Sequence, residues 1–201
     1  LAAVGQALER LAAHAASALD PRIAHAVTYA LTGPGKRLRP ILLISAYRAA
    51  GGRGDVPALA AAVEAVHAYS LVHDDLPCMD DDDVRRGRPT VHKRHGVVAA
   101  TAAGVAMVPL AARAAVEAAR ALGLDADTQS RIARTLMHAS GTHGMIGGQL
   151  LDLEAEGKRL DAAQLEQVHR LKTGALIEAS VVIGGLAAGA CAATLDALQR
   201  Y

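Results

Sequence analysis

"VHAYSLVHDDLPCMDDDDVRRGRPT", residues 66–90, is the stretch on which the reading of this chain turns. It enters as an apolar helical pattern and leaves as six aspartates within ten residues, followed by three arginines. Carboxylates packed that closely repel one another, and the repulsion costs folding energy unless cations sit among them. An isolated acidic run is most often a solvated loop, but this one arrives at the end of an element expected to face the core. Leu59, Val63, Val66, Ser70 and Val72 fall near one face of a helix over residues 57–75, so Asp74 and Asp75 stand at its buried end. Pro77 lacks an N–H and clashes one turn back, so it cannot continue that helix. In an unbroken helix, residues six apart point about 120° away from each other. A bulge over residues 76–79 is expected to bring Asp74 and Asp80 to one side.

A donor set of carboxylates suits a hard, oxygen-loving ion. Mg²⁺ in particular is held by one or two carboxylates together with substrate phosphate. Arg85, Arg86 and Arg88 then stand beside that metal as phosphate-binding groups. Acid and base in one short stretch thus read as a metal–diphosphate site. "GPGKRLRP", residues 33–40, adds a second basic cluster, with glycines that let a backbone approach an anion just ahead of a helix. It lacks the Walker pattern. A third candidate is Lys172, in "LKTGALIEAS".

The rest of the chain says what kind of fold carries these groups. Apolar residues make up 52% of 201, Phe and Trp are absent, and Tyr occurs four times. That composition favours helices and is poor in strand formers. Helical periodicity runs through residues 1–19, 21–31, 41–50, 57–75, 97–122, 127–138 and 161–189. A glycine-rich break covers 141–148, a restart 149–154 and a further helix 194–201. No convincing strand, repeat or linker interrupts them, so a single all-α domain is expected over residues 1–201. A net charge of +1 excludes a general nucleic-acid or membrane-surface binder. No run of eighteen apolar residues argues for membrane insertion. Cys78 and Cys191 form neither a metal-ligand spacing nor a disulfide framework, and a reducing, cytoplasmic setting is the expectation.

Four blocks carry a resemblance: "GPGKRLRP", "VHAYSLVHDDLPCMDDDDVRRGRPT", "HASGTHGMIGGQLLDLEAEGK" and "LKTGALIEAS". In this order they resemble the landmarks of the trans-prenyltransferases (polyprenyl synthases), most of all the bacterial farnesyl diphosphate synthases, over residues 28–201. The resemblance implies an isoprenoid-synthase-type helical bundle around a central cavity. It also implies Mg²⁺-dependent condensation of isopentenyl diphosphate with dimethylallyl or geranyl diphosphate, by ionisation, condensation and proton elimination. The product implied is farnesyl diphosphate. Carried over by motif, Asp74 and Asp80 hold the metal with Asp75 in support. Arg85, Lys172, Thr173, Gln149 and Asp152 serve the allylic diphosphate, and Lys36, Arg39, His67 and Arg86 the isopentenyl diphosphate. Asp74, Asp80, Arg85 and Lys172 are the implied catalytic residues. Tyr69, five positions before the first aspartate, forms with Ser70 the floor that limits product length. A homodimer is implied, its interface on the two alanine-rich helices after Gly96.

The chain also departs from that family's pattern. A second aspartate-rich motif is expected shortly after "LDALQRY", residues 195–201, and the chain stops before it. The domain is therefore expected to be incomplete at its C-terminus, and poor catalysis by these residues alone is expected. Val97 and Val105 replace acidic residues, and Pro109 is expected to interrupt the helix that follows. Two alternatives stay open: a geranylgeranyl diphosphate synthase, and a non-catalytic prenyltransferase-like subunit without the second motif.

Overall fold

The computed structural model describes residues 1–200, whose backbone is helical nearly throughout. The order is α1 (Ala2–Ala18), α2 (Pro21–Leu31), α3 (Leu38–Ala49), α4 (Pro57–Asp74), a short hairpin of β1 (Val84–Arg85) and β2 (Arg88–Pro89), α5 (Val91–His95) and α6 (Val97–Ala121). Then come α7 (Ala126–Ser140), α8 (Met145–Ala155), α9 (Ala162–His169), a π-helical turn Arg170–Gly174, α10 (Ala175–Ala187) and α11 (Ala192–Arg200). The all-α class expected from composition and periodicity is the class observed. Tyr201, the last residue of the final expected helix, lies outside the described residues.

Local chemistry sets the helix starts. Asp20 accepts a hydrogen bond from the Arg22 N–H at 2.9 Å, and Pro21 takes the first helical position, where its missing N–H is no loss. Asp125 caps α7 through the Thr128 N–H at 2.8 Å. Asp161 and Gln164 form a reciprocal capping box at the start of α9.

The chain divides into two compact units. The first comprises Leu1–Pro40 and Pro57–Ala115. Within it α1 packs on α2 and α4, and α2 on α5. Val4, Leu8, Leu31, Leu59 and Met107 are wholly withdrawn from water there. The second comprises Ile41–Val56 and residues 116 onward. Its α10 packs on α7 and α11, while α8 lies on α9 and the π turn. Leu43, Ile132, Leu136, Leu176 and Ile183 are its fully buried large side chains. A groove of about 900 Å³ opens among α7, α10 and α11, and none of the sequence-predicted site residues lines it.

Several local features bear on the sequence reading. The hairpin was not foreseen: Val84 pairs with Pro89 and Arg85 with Arg88. Arg86 and Gly87, at φ 53° and 75°, make the two-residue turn, whose positive φ values match strand twist. Two residues per strand carry no periodicity that a sequence pattern registers. Pro109 does not interrupt α6, which runs through it. The carbonyl one turn back, which proline leaves without its usual donor, belongs to Val105, a residue that is 61% exposed. The glycine-rich break is shorter than 141–148, because Gly147 and Gly148 lie inside α8. Val97 and Val105 are 47% and 61% exposed, so the replacement of acidic residues there alters a surface and leaves the core packing untouched.

By length and composition α6 is long and apolar enough to cross a membrane, yet only 28% of its most apolar window is buried within the chain. Arg113, Glu117 and Arg120 occupy its C-terminal third.

Candidate active site

Helix α4 delivers the first cluster. It ends at Asp74, as the ring of Pro77 requires, and the chain then folds through tight turns over residues 75–80. The Asp80 N–H donates to the Asp74 carbonyl at 2.8 Å, while the Met79 and Asp81 N–H groups donate to the Leu76 carbonyl at 2.8 and 3.2 Å. The bulge expected over residues 76–79 is therefore present, and it returns the backbone of Asp80 to that of Asp74. Asp74 is half-buried and Asp80 exposed.

Asp75 points inward instead. It is 3% exposed and accepts from Arg85 Nε at 2.5 Å, while Arg85 Nη2 donates to Asp82 at 3.2 Å. Burial pushes the Asp75 carboxyl above the usual range, and the Arg85 guanidinium opposes that push. A buried carboxylate tied to a guanidinium serves first as a counter-charge that holds Arg85.

The hairpin presents the arginines. Arg86 Nη1 donates to the Pro34 carbonyl at 2.7 Å, which ties the turn to the "GPGKRLRP" loop. Arg88 lies over the Tyr29 ring, 4.1 Å from its centroid, and the Tyr29 hydroxyl donates to the Pro89 carbonyl at 2.8 Å. These contacts enclose a cavity of about 80 Å³ within the first unit. Its lining includes His67, Asp75, Arg85, Arg86 and Arg88, all read from the sequence as site candidates, and Arg37 of the basic block 33–40; Tyr29 and Glu64, also in the lining, were not singled out. Lys36 is exposed on the loop beside it, and Arg39 is half-buried with its Nε enclosed and unpartnered.

His67 has the most perturbed ionisation. Burial of the ring, then the positive field of Arg39, Arg86, Arg37 and Arg85, pulls its pKa down to about 3. Its Nδ1 is buried without a protein partner. A neutral imidazole among four guanidiniums offers one N–H donor and one acceptor and adds no further positive charge. Such a cavity attracts an anion and repels cations.

Tyr69 is 4% exposed, its ring set edge-on to His73 with centroids 6.0 Å apart, and Ser70 is buried beside it. One further acidic group was missed. Asp81, Asp83 and His92 each bring a potential ligand atom to within 4.8 Å of the others. His92 is 5% exposed and its Nδ1 is paired with the Thr90 hydroxyl at 3.1 Å. A histidine nine residues beyond the last aspartate gave no spacing signal.

The second unit gathers the remaining predicted residues. Lys172 Nζ donates to Asp152 Oδ2 at 2.5 Å, joining the π turn to α8, which also carries the buried Gln149. Thr173 is exposed within the same turn. π-helical turns inside α-helical runs frequently mark functional sites. This one is pressed against Gly148, where an added Cβ would overlap the Lys172 backbone. Gly148→Ala is therefore expected to lower stability by about 1–3 kcal/mol, although alanine is the better helix former. Urea unfolding reads the change, and an unaltered or raised midpoint would mean that the π turn yields to the methyl group.

An all-α protein with a cationic cavity beside an aspartate-rich turn is thus what the fold and site define. The sequence profile of the polyprenyl synthetase family matches residues 20–201. The chain belongs to the polyprenyl synthetase family. It is 51% identical over 156 residues to the farnesyl diphosphate synthase of Escherichia coli (strain K12), covering 77% of this chain and 52% of that protein. It is 40% identical over 181 residues to the farnesyl diphosphate synthase of Geobacillus stearothermophilus, covering 90% of this chain and 61% of that one. The chain thus spans somewhat over half the length of these curated relatives. Among solved structures, an apo FPP/GFPP synthase from Zymomonas mobilis superposes with a TM-score of 0.83 at 34% identity, covering 98% of this chain and 72% of that one.

Proposed function

We propose that this chain is part of a short-chain trans-prenyl diphosphate synthase, which joins isopentenyl diphosphate to dimethylallyl or geranyl diphosphate and makes farnesyl diphosphate. One observation carries the reading: the turn that returns Asp80 to Asp74 sits directly before the hairpin whose Arg85 and Arg86 line one cavity with His67. The carboxylates of Asp74 and Asp80 form an all-oxygen donor set that fits Mg²⁺, with Asp75 in support through Arg85. When bound there, the ion would supply Lewis-acid neutralisation of the leaving diphosphate.

The protein's own groups have separate tasks in this reading. Arg85 steadies the allylic diphosphate as its C–O bond ionises, and Lys172, paired with Asp152, is assigned by its motif to the allylic diphosphate together with Thr173 and Gln149. Lys36, Arg39 and Arg86 bind isopentenyl diphosphate, and neutral His67 donates its N–H to a phosphate oxygen. Tyr69 and Ser70 limit chain length as buried residues one turn before Asp74. The exposed apolar residues Val97, Val98 and Val105 of α6 support a homodimer, with a second copy covering that helix. Exposed free Cys78 and Cys191 fit a cytoplasmic setting.

The test is product analysis with the full-length protein, radiolabelled isopentenyl diphosphate, geranyl diphosphate and Mg²⁺. A C15 product is expected. A C20 product would assign geranylgeranyl diphosphate synthesis instead. Diphosphate binding without any product would point to the non-catalytic subunit, and neither binding nor product would sink the reading.

A further inference from the structure

Glu64 is a carboxylate where the packing calls for none. It lies on α4 one turn before His67, it is 2% exposed, and its neighbours Val63, Ala65 and Val66 are wholly buried. Its Oε1 accepts from Arg37 Nη1 at 2.8 Å, while its Oε2 is enclosed with no partner. Arg37 is itself unusual, a non-glycine residue at φ 52°. Its Nη2 donates to the Gly33 carbonyl at 2.6 Å. One guanidinium thus clasps the start of the basic loop and fastens it to the cavity wall. A left-handed φ on arginine and a buried carboxylate are both unfavourable on their own. A buried ion pair is also a weak source of net stability. The effect to look for is therefore where this pair holds things.

Lys36 precedes Arg37, and Arg39 follows it by two residues. Glu64 also favours the charged form of Arg39, against its burial and the repulsion of Arg86. Without that carboxylate, Arg37, Arg39 and Arg86 lose the counter-charge that joins the loop to α4, and their mutual repulsion opposes the loop's seating there. We propose that Arg37 and Glu64 act together as a positioning pair, which holds the Lys36–Arg39 loop against α4 so that its cations converge with His67 and Arg86 on one diphosphate. The proposal rests on the reading of the cavity given under Proposed function.

The experiment is calorimetric titration of the protein with inorganic diphosphate, each variant also being melted. Arg37→Gly preserves the left-handed turn, which glycine adopts freely, and removes the clasp. Glu64→Gln preserves shape and removes the charge. Each is expected to weaken binding about tenfold, with the double variant little worse than either single one, as partners in one interaction behave. Arg37→Lys, which keeps charge without the two-pronged geometry, is expected to fall between. Unchanged affinity in folded Arg37→Gly overturns the proposal. So does a fully multiplicative loss in the double variant, or a lowered melting point with wild-type affinity, which is the mark of a purely structural pair. If Glu64→Gln fails to fold, Arg37→Gly and Arg37→Lys decide by themselves. A wild-type protein that does not bind diphosphate removes the reading of the cavity, and the pair's role with it.

Discussion

Asparagine in place of Asp74 or Asp80 is expected to lower turnover by about 10²–10³-fold or more, the scale seen when one preorganised electrostatic contact to a transition state is removed. Asparagine keeps the shape and much of the hydrogen bonding of aspartate. The substitution therefore isolates the charge. Asp74 closes α4 and Asp80 is returned to it by a backbone hydrogen bond, which neither side-chain change touches. The melting point is expected to stay within a few degrees, because Asp80 is exposed and Asp74 half-buried. Mn²⁺ titration followed by electron paramagnetic resonance gives a readout that needs no turnover, and each variant is expected to bind the ion more weakly. Wild-type Mn²⁺ affinity and wild-type turnover in both variants would remove these two residues from the metal site. Asp81, Asp83 and His92 would then be the next group to examine.

Arg85→Gln is expected to cost about 2–3 kcal/mol of stability at neutral pH, at or below the bottom of the range for breaking a fully buried pair, because the Arg85 side chain is 30% exposed. Asp75→Asn is expected to cost less. The asymmetry follows from where the charge is buried. Removing the arginine leaves a carboxylate in the interior without its partner, whereas removing the carboxylate leaves a guanidinium that reaches water.

The pH dependence has a definite sign. Burial already raises the Asp75 carboxyl above 3.8, so the folded state takes up this proton more readily than the unfolded state. Stability from this group is fully present below the unfolded value and is lost as pH rises through the folded one. Arg85→Gln raises the folded value further, so its deficit is largest near neutrality and shrinks on acidification as Asp75 becomes neutral. Urea unfolding of both variants at about pH 5 and pH 7.5 checks this. Equal deficits at the two pH values, or a larger cost for Asp75→Asn, would contradict the account.

Helix existence was legible because its signals are local. Asp20-Pro21, Asp125 and the Asp161/Gln164 box each act within one turn, and they start the helices α2, α7 and α9. The turn after Asp74 was legible for the same reason, since Pro77 forbids helix whatever lies around it. The arginine hairpin was not, because two residues per strand carry no alternation. The π turn at Lys172 was not either. It depends on Gly148, which comes into contact only when α8 folds back on it.

By itself, then, the sequence determined the helical class, the starts of α2, α7 and α9, the break after Asp74 and the chemical identity of the acidic and basic blocks. All of these rest on side chains acting within a few residues of their own backbone. Only the tertiary structure decided the charge partners. It gave Asp75 its buried ion-pair partner, Arg85, and it set Glu64 against Arg37 across 27 residues. A charge pairs with whatever the packed helices bring within about 4 Å, and no local signal records that distance.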